Sequence, residues 1–257
     1  MPGAASAHEA AAAPQQCSSL GDEDDTQLEQ MEARYVHSVY DIIATHFSAT
    51  RFAIWPKVKA FLQSLPSGAL LADVGCGNGK YFGVRPDVAV LGSDRSPNLA
   101  ETAARRLRPM ATAAVPGPLT RCDVAVADGL HLPYRSGALD AVVCIAVLHH
   151  ISSETRRVRL LRELARVLRP GGRALVTVWA SQQEEPGKLQ KWEPIPSAES
   201  APDGRIDRAK GTVVFKRYYH LFDEGELNSL VLQVPGVSIS DSFYDKSNWC
   251  VIFERTA

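Results

Sequence analysis

ALLADVGCGNG, residues 69–79, is an apolar run that stops on an acid and turns through three glycines at alternate positions. It reads as a buried strand passing through a tight turn into a helix, with Gly75, Gly77 and Gly79 keeping side chains away from the backbone. The same alternation repeats outward. Residues 89–94 form a second apolar run, and Ser96 with Pro97 supplies an N-cap and a first-turn proline for a helix to about residue 107. Residues 109–118, rich in proline and alanine, predict a loop, and residues 121–127 a third strand. Residues 139–148 (LDAVVCIAVL) are apolar on both faces, as a central strand covered on both sides must be. A helix over 153–168, the Pro170-Gly171-Gly172 break and a fifth strand over 174–179 follow. Residues 181–211 carry four prolines and predict a loop insertion. The last elements are 213–219, a helix near 224–232, and strands over 237–242 and 249–254. Strands alternating with helices imply a three-layer α/β sheet.

In an open parallel sheet, ligands bind beyond the carboxyl ends of the strands, at the switch point. Two nucleotide readings of the glycine turn compete. A dinucleotide site wants G-x-G-x-x-G, but three residues after Gly77 stands Lys80. The turn also opens on Asp73, which repels a pyrophosphate and suits a ligand cationic at that end, such as the amino group of S-adenosylmethionine. Asp94 ends the second strand, where a carboxylate accepts both ribose hydroxyls, and Asp128-Gly129 follows the third, where an acid receives an adenine amino group. The alternative is that the glycines serve packing and the acids cap helices. Arg95, beside Asp94, and Ile145, in the fourth strand, complete this expected cofactor wall.

The 257 residues and 27.9 kDa suit one large domain, and 45% apolar content is enough for a sizeable core. No apolar run approaches the roughly 20 residues that cross a bilayer. The five cysteines are dispersed without a CxxC pair, which argues against a zinc site in this chain and against a disulfide framework. No signal or presequence pattern is expected at the N-terminus, so the default address is the cytoplasm, with the nucleus open. Net charge is −1, yet residues 1–29 hold six acids and no Lys or Arg, leaving +5 on residues 30–257. Residues 1–29 are therefore expected to be a disordered acidic tail, and 30–257 the folded domain. Between 30 and 61, Met31, Tyr35, Val39, Ile42 or Ile43 and Phe47 recur at helical spacing, and a short helix follows Pro56.

Residues 74–81 (VGCGNGKY), 92–96 (GSDRS), 127–133 (ADGLHLP) and 146–150 (AVLHH) resemble the class I methyltransferases. Residues 35–47 (YVHSVYDIIATHF), Trp179, 217–227 (RYYHLFDEGEL) and 248–251 (NWCV) narrow the resemblance to the wobble-uridine tRNA methyltransferases, in their stand-alone form. These esterify 5-carboxymethyluridine at anticodon position 34. The resemblance runs from about residue 30 to 253, leaving 181–211 unmatched. It implies a seven-stranded Rossmann-like sheet, mostly parallel with an antiparallel last strand, and S-adenosylmethionine as methyl donor. It also implies the tRNA anticodon stem-loop as substrate and a small zinc-binding activator subunit docked on the edge strand at 121–127. An unpaired edge that needs cover agrees with this.

A carboxylic acid of pKa ~4 is already ionised at pH 7, so such a reaction needs positioning and water exclusion and no general base. Expected near the acceptor are His149, Trp179, Tyr219, Asn248, Trp249 and Arg34; Arg34, His37 and Tyr40 share a helix face by spacing, with Tyr40 toward the cofactor. Arg159, Arg162, Arg166 and Arg169 form a basic stripe that could track phosphates or simply be solvated. Two other functions remain open: a small-molecule methyltransferase of the quinone or sterol type, and a tRNA-binding methyltransferase-like protein without turnover.

Overall fold

The computed structural model describes residues 20–111, 121–184, 195–196, 205–207, 212–214 and 217–256. Its strands are β1 (Leu70–Val74), β2 (Ala89–Asp94), β3 (Cys122–Val126), β4 (Leu139–Ile145), β5 (Leu168–Trp179), β6 (Ile195–Pro196), β7 (Arg205–Asp207), β8 (Thr212–Val214), β9 (Val237–Asp245) and β10 (Asn248–Arg255). The helices are α1 (Leu20–Glu32), α2 (Ser38–Thr50), α3 (Pro56–Gln63), α4 (Pro97–Ala111), α5 (Glu154–Val167) and α6 (Glu226–Leu232). A π-helical turn, Ala33–His37, joins α1 to α2.

Seven strands pair in the order β3-β2-β1-β4-β5-β10-β9. β1 to β5 run parallel, and β10 lies antiparallel between β5 and β9. The expected antiparallel last strand is thus present, slotted inside the sheet instead of at its edge. β4 shows why both faces must be covered. Leu139, Val142 and Cys144 join the core beneath α5 and α6, while Ala141, Val143 and Ile145 join the one that holds Val58, Phe61 and Leu62 of α3. Strand order reverses between β1 and β4, which places the glycine turn at the switch point.

Three expectations are corrected. Residues 20–29 are not a disordered tail: α1 begins at Leu20, and three of its acids are counter-ions. Asp25, Glu29 and Glu32 recur at i, i+4 and i+7, one helix face, and all three reach Arg156 of α5. Residues 1–19 lie outside the described residues. The 181–211 segment holds β6 and β7, which pair with β8 in a small antiparallel sheet. Of the predicted loop at 109–118, residues 109–111 continue α4, and 112–118 lie outside the described residues.

The basic stripe, which runs along α5 and onto Arg169 at the start of β5, is largely committed to the fold. Arg166 pairs with Glu163 and donates to the carbonyls of Leu132 and Tyr134. Arg169 pairs with Asp140, and Arg159 bonds the His131 ring. Arg156 and Glu32 are 2% and 1% exposed. Removing one member of such a buried pair leaves the other desolvated, so Arg156→Met should cost about 3–5 kcal/mol in urea unfolding. The double change Arg156→Met with Glu32→Leu should restore most of that loss. Equal stability of the single variant and wild type would show that α1 does not anchor the fold.

Candidate functional site

The glycine turn, the N-terminal helical arm and the β9–β10 hairpin enclose a cavity of about 690 Å³. On its sheet side, Gly75 and Gly77 have φ of +70° and +55°, the left-handed region that favours glycine. A Cβ on Gly75 would also stand 2.2 Å from Val147 Cγ2, since the loops after β1 and β4 meet there. Asp94 braces the turn, accepting from Gly77 N (2.9 Å) with one oxygen and Ser96 N (2.9 Å) with the other. Burial pushes the Asp94 carboxyl up to about 6. Asp73 is 1% exposed, and its Oδ2 has no hydrogen-bond partner among the described residues. Burial raises its carboxyl to about 7, with Lys80 opposing. Asp128 accepts from Leu130 N and pairs with Arg95.

Tyr40, Asp73, Gly75, Gly77, Asp94, Arg95, Asp128, Gly129 and Ile145 all line this cavity. Gly79 does not: a Cβ there would meet Phe82 at 2.7 Å and Ala103 at 3.2 Å, so this glycine serves helix packing. An unpartnered buried carboxylate where an ammonium would sit, and further acids at the next two strand ends, fit S-adenosylmethionine. Asp73 would hold the amino group, Asp94 the ribose and Asp128 the adenine.

The arm closes the opposite wall. Asp41 accepts from Ser96 Oγ and from Asn98 N (3.3 Å), and Asn78 Nδ2 donates to the carbonyls of Ser48 and Arg51. These contacts pin both ends of α2 to the turns that follow β1 and β2. His37 and Tyr40 line the cavity, but Arg34 is exposed, over the ring of Tyr35. The wider π turn at Ala33–His37 breaks the register that regular helical spacing predicts.

Of the expected acceptor residues, Trp179 and Asn248 line the cavity, and His149, Tyr219 and Trp249 do not. His149 and His150 sit in a single 3₁₀ turn, Leu148–His150, which points neighbours in different directions. His150 faces the cavity, while His149 is fully buried and stacks on Trp179 (4.4 Å between centroids, 22°). Trp249 follows Asn248 along β10, and strand alternation sends it to the other face, where Nε1 donates to Phe222 O. Tyr219 stands edge-on behind Trp179 at 5.3 Å.

Arg217, first residue of RYYH, is the prominent addition. Its guanidinium lies 5.2 Å from the Tyr40 ring centroid and 5.1 Å from that of Trp179, and it donates to Tyr40 Oη. Tyr40 in turn bonds His150 Nε2 (2.8 Å), and His150 Nδ1 bonds Tyr218 O (3.0 Å). A carbonyl only accepts, so Nδ1 carries the proton and Nε2 accepts from Tyr40. Burial and the neighbouring Arg217 push His150 down to about 3, and burial pushes His37 down to about 4. Burial also raises Tyr40. The quoted RYYH segment already contained Arg217, yet nothing in sequence spacing joins residue 217 to residue 40.

The family model described as Methyltransferase domain matches residues 72–176. The chain is 41% identical to the tRNA (carboxymethyluridine(34)-5-O)-methyltransferase of Schizosaccharomyces pombe, over 88% of this chain and 98% of that protein. It is 36% identical to the tRNA (carboxymethyluridine(34)-5-O)-methyltransferase alkbh8 of Xenopus tropicalis, covering 88% of this chain and 41% of that longer protein. Among solved structures, the complex between the Haloferax volcanii Trm112 methyltransferase activator and a putative methyltransferase matches with a TM-score of 0.60. There the identity is 14%, over 87% of this chain and 99% of that one.

The Asp73 carboxyl gives the cavity a pH dependence. With its pKa raised to about 7, Asp73 is protonated below that pH in the free cavity and ionised above it. A ligand ammonium pairs with the ionised form, so affinity falls as pH drops. From pH 8 to pH 6, calorimetric binding of S-adenosylmethionine should weaken about tenfold. Asp73→Asn should bind far more weakly and lose that slope; a flat wild-type profile would remove Asp73 as the ammonium partner.

Proposed function

The chain belongs to the family of tRNA (carboxymethyluridine(34)-5-O)-methyltransferases, and we propose that it esterifies the carboxylate of 5-carboxymethyluridine at the tRNA wobble position, with S-adenosylmethionine as donor. The bound cofactor supplies a methyl group on a sulfonium centre, open to in-line attack. Asp73, Asp94 and Asp128 would hold the donor, and the loops after β1 and β4 would keep water from it. The observation that carries the reading is the make-up of the cavity's other end. It is walled by Tyr40, Trp179 and the guanidinium of Arg217, and both histidines that line the cavity stay neutral at pH 7. A carboxylate needs no proton removed before attack, so a neutral aromatic wall beside a cation suits it. An aromatic wall also suits a base turned out of the anticodon stack.

The reading extends to a small zinc-binding activator on the β3 edge. β3 ends the sheet with its outer side unpaired among the described residues, and Val126 is 57% exposed there. The haloarchaeal neighbour, solved in complex with the Trm112 methyltransferase activator, shares the fold.

Labelled S-adenosylmethionine and bulk tRNA from cells lacking this protein test the proposal, with and without the activator, followed by nucleoside mass analysis. A methyl ester on carboxymethyluridine, formed when the activator is present, is the expected result. Cofactor binding without transfer to any tRNA would place the acceptor elsewhere, and full activity without the activator would remove that partner.

A further inference from the structure

Asn248 opens β10 beside Trp179, its Cα partner in β5, and it is 4% exposed on the cavity wall. Its Nδ2 donates to Asp245 O (3.2 Å) and Lys246 O (2.7 Å). Carbonyls only accept, so these two bonds decide which way the amide lies. Oδ1 is then a buried acceptor with no partner among the described residues. A buried acceptor left unmade costs stability, and in a ligand cavity it marks where a ligand donor would go. The hairpin that delivers Asn248 turns through Lys246 and Ser247 at φ of +48° and +65°, without a glycine. That strain is held at the cavity, which both residues line.

Arg217 lines the same cavity over the Trp179 ring, whose stacking partner is His149. A guanidinium offers donors in a fixed planar fork that matches a carboxylate, and it offers no acceptor. Trp179 therefore stands between a cation with donors and an amide with an idle acceptor. A ring that carries an N–H and an anionic arm satisfies both. Uracil bears a hydrogen on N3, whereas cytosine presents a lone pair there, which Asn248 Oδ1 would repel.

We infer that Asn248 and Arg217 form the acceptor-reading pair, Asn248 Oδ1 accepting the imide N–H of a uracil-type ring and Arg217 forking onto its anionic arm. The inference rests on the methyl-ester reading above and adds how the acceptor is told from its near neighbours. The site rejects a cytosine and disfavours a neutral amide arm. The donor end of the cavity takes no part in that choice.

Anticodon stem-loops test it as competitors in the methyl-transfer assay, with the full chain and the activator. One carries 5-carboxymethyluridine, one its carbamoylmethyl amide, and one the carboxymethyl base methylated on N3. With wild type, the amide and the N3-methyl base should each compete at least about tenfold more weakly than the carboxymethyl base. Arg217→Met should erase the preference over the amide and keep that over the N3-methyl base; Arg217→Lys should recover part of it. Asn248→Ala should do the converse. S-adenosylmethionine binding by each variant reports that the fold is intact, and if a variant fails there, the wild-type comparison decides alone. Wild type that forms the ester yet binds all three loops equally overturns the inference, as do variants that keep both preferences. Absence of ester on every loop instead overturns the methyl-ester reading, and this inference with it.

Discussion

The buried Arg156–Glu32 pair sets where the N-terminal arm lies, and much of the cavity wall hangs from that arm. Taking two charges out of water is costly unless each is fully engaged. Here Glu32 Oε1 also accepts from Ser152 N (2.8 Å) and Ser152 Oγ (2.6 Å), and Glu29 and Asp25 add carboxylates around the guanidinium. Ser152 stands two residues after His150. The pair that docks the arm therefore also fixes the loop after β4, so His37 and Tyr40 approach from one side and His150 from the other.

A second constraint is the crowding at the switch point. Gly75 admits no side chain against Val147, and Ala146, one residue earlier on the neighbouring loop, has φ of +60°. An L-residue in that region costs roughly 1–2 kcal/mol. The Ala146 N–H is held by the carbonyl and hydroxyl of Thr177, each at 3.1 Å, which keeps the strained loop in place. Lys246 and Ser247 carry similar strain on the far side, held where Ala180 N donates to Ser247 O (3.0 Å). Strained non-glycine backbone thus gathers around the cavity, where one loop shape is needed.

The sheet and the donor end were legible because they rest on local rules. Apolar runs on both faces gave the central strands, and an acid or glycine at each strand end gave Asp73, Gly75, Asp94 and Asp128. Helix spacing puts Arg34 and Tyr40 on one face, yet only Tyr40 lines the cavity, because one π turn at Ala33–His37 shifts the register without a sequence mark. His149 and His150 could not be ranked from order alone, since a 3₁₀ turn decides which faces inward. Trp249 could have been excluded in advance, because adjacent residues of a strand cannot face the same side. Asp25 and Glu29 read as part of a disordered tail because their partner, Arg156, lies more than 120 residues away. Arg217 was hidden for the same reason, its contacts with Tyr40 and Trp179 being tertiary.

The direction of hydrogen bonds around Tyr40 bears on which acceptors the cavity can serve. Tyr218 O fixes the proton on His150 Nδ1, His150 Nε2 accepts from Tyr40, and Tyr40 Oη accepts from Arg217. His150 is pushed to about 3 and His37 to about 4, so neither takes up a proton at neutral pH, and burial raises Tyr40 further from ionisation. The cavity carboxylates raised toward neutrality are Asp73, to about 7, and Asp94, to about 6, and the donor's ammonium and ribose would engage them. A hydroxyl, an amine or a carbon acid must lose a proton to become methylated, and among the described residues the histidines lining this end are held as weak bases. An acceptor already ionised in water carries no such requirement, which favours a carboxylate over the carbon acceptors of quinone- or sterol-type methylation on the same fold.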